Sequence, residues 1–254
     1  MIKSELEGKI CVPVVGRHRA EIGLMVEEAI ASGADMIEWR ADYYPFQVLS
    51  EVEGLLSLIQ SRIGNCPLIV TYRSISEGGN GAANVKMYTR FCEVVVTHPA
   101  VTYLDVEWEQ WYFVAKQSSI RDNLDKIILS KHESTPGIDE KRLHKNIQQM
   151  QTVCPAIMKL AVTPKDVKQG KALERLRKTY TFPNQVNSSV LLLIGMGEWG
   201  RNLRILGHRW GNPWTFASLS SETASAPGQL TVSELQEIWQ DKRGDADEKE
   251  KTSC

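Results

Sequence analysis

A lysine stands in the middle of an otherwise apolar run, Pro155-Ala-Ile-Met-Lys-Leu-Ala-Val-Thr-Pro164, closed at each end by a proline. A run of this length between prolines predicts a buried strand. Removing water from an ammonium disfavours its charged form, so Lys159 is expected to give up its proton more readily than a surface lysine. A lysine that is neutral part of the time is a nucleophile and forms Schiff bases with carbonyl groups. The competing reading is structural, with the ammonium reaching water past the strand end or meeting a carboxylate. Other polar groups gather at the ends of other apolar runs: Glu38-Trp-Arg40-Ala-Asp42, Thr71-Tyr-Arg73 leading into Glu77-Gly-Gly79, Asp105-Val-Glu107, and Ser130-Lys-His132. Histidine is suited to moving protons near neutral pH. Arginine, here Arg40, Arg73 and Arg204, carries the planar fork that grips a carboxylate.

These residues need elements to hold them. The chain repeats a unit made of a short Val/Ile/Leu-rich strand, a polar turn and a segment of helical periodicity. Eight strands are expected, at Ile10–Val15, Met36–Ala41, Leu68–Arg73, Thr102–Glu107, Lys126–Ser130, Ile157–Val162, Val190–Met196 and Thr215–Leu219. The spacing of about 25 to 35 residues suits parallel strands joined by helices. Continuously apolar strands are expected where both sheet faces are covered. Eight such units in a chain of 254 residues predict an α/β fold, a single-domain (β/α)8 TIM barrel. In such a barrel chemistry belongs at the C-terminal strand ends, where the polar groups above fall. Glu38 and Arg40, two residues apart, share a face. The helix after Trp108 has irregular apolar spacing. Residues 1–240 read as one domain, and the charged stretch 241–254 as a tail too polar to order itself.

The formal net charge is −1, with both signs mixed along the chain. It gives no footprint for nucleic acid or an anionic membrane, so the expected partner is a small molecule. The five cysteines include no C-x-x-C pair, which predicts free thiols in a reducing compartment. No cleavable apolar segment opens the chain, and the longest apolar run, Val190 to Ile194, is too short to cross a bilayer. A cytoplasmic protein is expected. The histidines form no H-x-H or H-x-x-x-H cluster, so no metal is implied. Gly195-Met-Gly197-Glu-Trp-Gly200 after a strand matches the dinucleotide pattern G-x-G-x-x-G. Only residues 201–254 follow it, too few for the remaining strands of that fold. These glycines are expected instead to let backbone approach a ligand or a neighbouring strand.

Taken in order, the motifs resemble those of the type I 3-dehydroquinate dehydratases, the Schiff-base enzymes of the shikimate pathway, over nearly the whole chain. Glu38-Trp-Arg40 is similar to the family's E-x-R, and Thr71 to Gly79 to its T-x-R-x-x-x-E-G-G. Ser130-Lys-His132 is similar to S-x-H, and Lys159-Leu-Ala-Val to K-x-A-V. Met196 with Arg204, and the lid Ala224-Ser225-Ala-Pro-Gly-Gln229, complete the set. The resemblance implies dehydration of 3-dehydroquinate to 3-dehydroshikimate without a cofactor, by a homodimer. Lys159 would form the imine, His132 would act as acid and base, and Glu77 would orient the ring. Arg204 would hold the substrate carboxylate, Glu38, Arg40 and Arg73 its hydroxyls and one another's charges, and Ser225 and Gln229 would close the lid.

The chain departs from the pattern in two places: Glu133-Ser134 follows the histidine where the family commonly has an aromatic, and Gly195 precedes Met196 where it often has a serine. Both bear on the local shape of the pocket. A class I aldolase shares the lysine chemistry, and Gly197 and Gly200 could offer it phosphate-binding backbone donors. A catalytically silent barrel is the third reading, against which the joint presence of Lys159, His132 and Glu77 speaks.

Overall fold

Successive strand residues face two different interiors, and the arrangement of the chain follows from that alternation. The computed structural model describes residues 8–82, 84–133, 135–180, 189–226 and 228–240. The expected tail 241–254, Ser134 and Pro227 lie outside the described residues. Eight parallel strands appear where the sequence predicts them, within a few residues: β1 Ile10–Val14, β2 Met36–Arg40, β3 Leu68–Thr71, β4 Tyr103–Glu107, β5 Ile127–Glu133, β6 Ile157–Val162, β7 Val190–Gly195 and β8 Thr215–Ser218. β5 runs three residues further than expected, which brings His132 into the strand. A short ninth strand, β9 Leu230–Thr231, pairs with β8 and was not read from the sequence. Two residues give no periodicity to detect.

The sheet order is β7-β6-β5-β4-β3-β2-β1-β8-β9, all parallel, curled into the expected barrel. Among the described residues no ladder joins β7 to β8. The Asn212 side chain spans that seam: its amide donates to the Leu193 carbonyl at 2.8 Å and its oxygen accepts from Leu193 N–H at 3.1 Å and from Arg177 Nε at 2.7 Å. One side-chain amide therefore stands in for a strand neighbour.

Outward strand residues such as Ile37, Trp39, Val70, Leu104, Leu129, Leu160 and Leu193 join the large core against the helices. These are α1 Arg19–Ala31, α2 Leu49–Ile63, α3 Val85–Thr97, α4 Trp111–Val114, α5 Ser118–Arg121, α6 Glu140–Gln151, α7 Val167–Thr179 and α8 Arg201–Leu206, with residues 232–240 also helical. Asn84, Asp139 and Asp166 cap α3, α6 and α7 by accepting from first-turn N–H groups. The irregular fourth segment is two short helices, α4 and α5. Arg121 Nη1 occupies the carbonyls of Ala115 and Lys116 at the break, each at 2.7 Å. Inward residues form a second, smaller core of Cys11, Met36, Ile69, Ile128, Ile157, Leu192 and Trp214 at the N-terminal end of the barrel. Above it, the inward rows of β2 to β6 turn polar.

Candidate active site

Two residues further along the inward rows of β2 to β6 the side chains become Glu38, Thr71, Asp105, Ser130 and Lys159, while Ile194 and Phe216 keep the rows of β7 and β8 apolar; register sets the neighbours, Thr71 facing Asp105 and Ser130 facing Lys159. Met158 and Leu160 point outward to the helices. Lys159 itself points inward and meets carboxylates, its Nζ lying 2.9 Å from Asp105 Oδ2 and 3.5 Å from Glu38 Oε1. The Phe216 ring covers the ammonium at 4.8 Å. The apolar surroundings inferred from the sequence run belong to its neighbours. Thr71 Oγ1 donates to Glu38 Oε1 at 2.8 Å and steadies that carboxylate.

Arg73 is the hub of the site. Its Nη2 donates to Asp105 at 2.7 Å, and its Nη1 to Glu77 at 2.8 Å, Ser130 at 3.0 Å and Glu107 at 3.3 Å. Burial works against its charge, but Asp105, Glu77 and Glu107 outweigh it and hold the guanidinium pKa above its ordinary value. Burial likewise acts to raise Asp105, yet the Arg73 and Lys159 cations hold that carboxyl well below the usual range. Glu107 is fixed in turn by Ser74 N–H at 2.8 Å. Arg40 is gripped by Asp42 through Nε and Nη2, both at 2.8 Å, and lies over the Tyr43 ring at 5.0 Å.

His132 Nδ1 lies 2.9 Å from Glu77 Oε2. Burial, followed by the Arg73 and Lys159 cations, pushes the imidazole well below its ordinary value, so it is held neutral. Burial pushes the Glu77 carboxyl up to about 8; Arg73 pulls it down, and Glu107 and Asp105 add to the rise. The pair therefore holds one proton between a neutral acid and a neutral base below that pH.

All nine residues singled out from the sequence line one cavity of about 130 Å³: Glu38, Arg40, Arg73, Glu77, His132 and Lys159 on the strand ends and the loop after β3, Arg204 on α8, and Ser225 with Gln229 on the loop after β8. Burial lowers Arg204 to about 10. Ser225 N–H and Oγ both reach Gln229 Oε1, at 2.8 and 3.2 Å, closing the lid segment on itself. Sequence reasoning assigned no role to Asp105, Ser130, Thr71, Asp42 and Phe216. The first three stand at the inward parity of their strands, a signal that was present.

The G-x-G-x-x-G stretch serves packing. A Cβ on Gly195 would lie 2.5 Å from Gly200 Cα, so the serine common at this position has no room here. Gly197 has φ +69°, and a Cβ on Gly228 of the lid would come 2.8 Å from the Gly197 carbonyl oxygen. The lid thus rests directly on the turn after β7.

The sequence model of the family described as Type I 3-dehydroquinase matches residues 10–244. A 3-dehydroquinate dehydratase from Clostridium kluyveri is 31% identical over 242 residues, covering 91% of this chain and 90% of its own length. The type I 3-dehydroquinate dehydratase of Clostridium difficile, solved with covalently modified comenic acid, superposes with a TM-score of 0.81 at 26% identity, over 92% of this chain and 91% of that one. The 3-dehydroquinate dehydratase of Enterococcus faecalis superposes with a TM-score of 0.78 at 27% identity, over 92% and 94%.

Proposed function

The chain belongs to the type I 3-dehydroquinase family, and on that premise we propose that it dehydrates 3-dehydroquinate to 3-dehydroshikimate through an imine on Lys159, as a step of the shikimate pathway. The observation that carries this reading is that Lys159 and a neutral His132 line the same cavity. One supplies the nucleophile and the other a base.

Lys159 gives up a proton and its Nζ lone pair attacks the substrate ketone; the carbonyl oxygen leaves as water and an iminium forms. Asp105, 2.9 Å from that nitrogen, keeps a negative charge beside it as ammonium becomes iminium. The iminium draws electrons from the neighbouring carbon and makes its proton more acidic. His132 takes that proton, and the bond's electron pair enters an enamine. The enamine then expels the β-hydroxyl, which His132 protonates as it leaves. Water hydrolyses the conjugated iminium, releasing the enone and restoring the lysine. Glu77 sets which imidazole nitrogen carries the proton. Arg204 binds the substrate carboxylate, while Glu38 and Arg40 address hydroxyls. Arg73 lends its Nη1 and Nη2 to protein groups, and so it acts chiefly by organising charge. Ser225 and Gln229 cover the bound ring and exclude water.

Borohydride added with 3-dehydroquinate tests the reading. It should reduce the imine and fix the ligand on the peptide holding Lys159, with Lys165 and Lys168, both exposed, left unlabelled. Lys159→Met should abolish both turnover and trapping. Labelling of Lys165 or Lys168 in place of Lys159 would overturn the Schiff-base assignment.

A further inference from the structure

We infer that Asp42 is a positioning residue for the dehydration, one carboxylate that fixes both the Arg40 guanidinium and the loop carrying Glu77. This deepens the reading of the site given above and rests on it. Asp42 lies in the turn after β2, its side chain fully shielded from solvent, and it is absent from the cavity wall. It therefore acts through other groups.

Four donors converge on this carboxylate. Oδ1 accepts from Arg40 Nε at 2.8 Å and from Arg73 N–H at 3.2 Å; Oδ2 accepts from Arg40 Nη2 at 2.8 Å and from Asn80 N–H at 3.1 Å. Those bonds use about the four lone-pair positions an ionised carboxylate has. The Arg40 side is a fork-on-fork pair, which fixes the plane of the guanidinium as well as its distance. Three of the five guanidinium donors remain for the cavity that Arg40 lines.

The backbone side of the same carboxylate does something separate. Arg73 and Asn80 bracket the loop in which Glu77 sits, and Gly81 N–H closes its base on the Arg73 carbonyl at 2.8 Å. Asp42 holds both margins of that loop against β2. The Glu77 carboxylate, and through it His132 Nδ1 at 2.9 Å, is thereby tied to the same anchor as Arg40. A group that only filled space would need neither the charge nor the two-sided geometry. An amide in its place has one acceptor oxygen, and it turns an N–H toward Arg40 Nη2 and Asn80 N–H, two donors that then face a donor.

The test is Asp42→Asn in the full chain, set beside Arg40→Met and the double variant, with kcat and KM for 3-dehydroquinate measured separately. Asp42→Asn should raise KM about 10- to 100-fold, the range for a charge-assisted hydrogen bond left unmade. In the Arg40→Met background the same change should raise KM no more than about threefold, because the group through which Asp42 acts on substrate binding is already gone, while kcat should still fall through the loop that carries Glu77. An unchanged KM in Asp42→Asn, or KM losses that multiply in the double variant, would overturn the inference. A readout on the unaltered protein covers the case in which the variant fails to fold or the wild type does not turn over this substrate. The Arg40 Nε proton, assigned by its loss in Arg40→Lys, should exchange with water far more slowly than those of exposed arginines. Exchange at the exposed rate would sink the inference. Absence of turnover and trapping in the wild type would count against the proposed function, and the Arg40 proton would then decide the role of Asp42.

Discussion

Replacing Glu77 by glutamine isolates the proton shared with His132. In the wild type the Glu77 carboxyl titrates at about 8. Below that pH it carries the proton and donates to His132 Nδ1, 2.9 Å away, which places the remaining imidazole proton on Nε2 and removes the lone pair needed to deprotonate carbon. Above it, Nδ1–H donates to the carboxylate and Nε2 is free. The free enzyme at pH 7 is therefore about one-tenth in the base-competent form, and kcat/KM should climb about ninefold from pH 6 to 7, about fivefold from 7 to 8, and level above about 9. Glu77→Gln keeps the hydrogen bond without a titrating group. Its profile should lose the limb near 8, and its plateau should fall by roughly 10- to 100-fold through the loss of a charge that stabilises the imidazolium. The assay is initial rate against pH, followed by the ultraviolet absorbance of the conjugated product. A limb of unchanged midpoint in the variant would refute the assignment. Folding offers a second readout. Because the folded state holds the Glu77 proton more tightly than the unfolded chain, its contribution to stability is complete below the ordinary glutamate range and is lost as pH rises through about 8. Each unit across that window is worth at most about 1.4 kcal/mol, and Glu77→Gln should flatten the decline.

Two further outcomes follow from the lid and the seam. Since Ser225 N–H and Oγ both depend on Gln229 Oε1, Gln229→Ala should lower kcat/KM at least as much as Ser225→Ala, each by roughly 5- to 20-fold, and the double variant should add little, which steady-state kinetics will read. Asn212→Ala strips the Leu193 N–H and carbonyl of their partner in a buried strand and should cost about 2 to 4 kcal/mol in urea unfolding; a cost below about 0.5 kcal/mol would mean that the seam is held by other contacts.

Much of the barrel was legible because strand positions announce themselves as apolar runs, and the nine candidate site residues fall at the ends of those runs or in the segments that follow them, Arg204 on the short helix α8. The sequence could not tell which acid meets which cation. Asp105 and Glu107 are two residues apart and share a face, yet Asp105 meets Lys159 and Arg73 while Glu107 also receives the Ser74 amide. That choice depends on strand register, which no local pattern encodes. For Lys159 the sequence left open whether the ammonium meets a carboxylate; alternation sends Met158 and Leu160 to the outer core and the lysine inward, but that its partners are Asp105 and Glu38 is again a matter of register. Asp42 was visible as a strand-end charge, but two of its four donors come from a loop more than thirty residues away. The break between α4 and α5 depends on one arginine folding back onto two carbonyls, a contact without periodicity. Gly195 differs from the common serine because Gly200 touches it, a reason that exists only in three dimensions.

The seam beside Asn212 gives the ring a mechanical polarity. Elsewhere around the barrel, parting two neighbouring strands breaks a ladder of backbone bonds; between β7 and β8, among the described residues, it strains instead the bonds of the Asn212 side chain and the contact of the lid with the turn at Gly197. The two banks of that joint carry different cargo. Met196 and Arg204 ride with β7 and its loop, and Phe216, Ser225 and Gln229 ride with β8. Prising the joint open separates these banks like jaws while the strands bearing Lys159, His132 and Arg73 stay laced together.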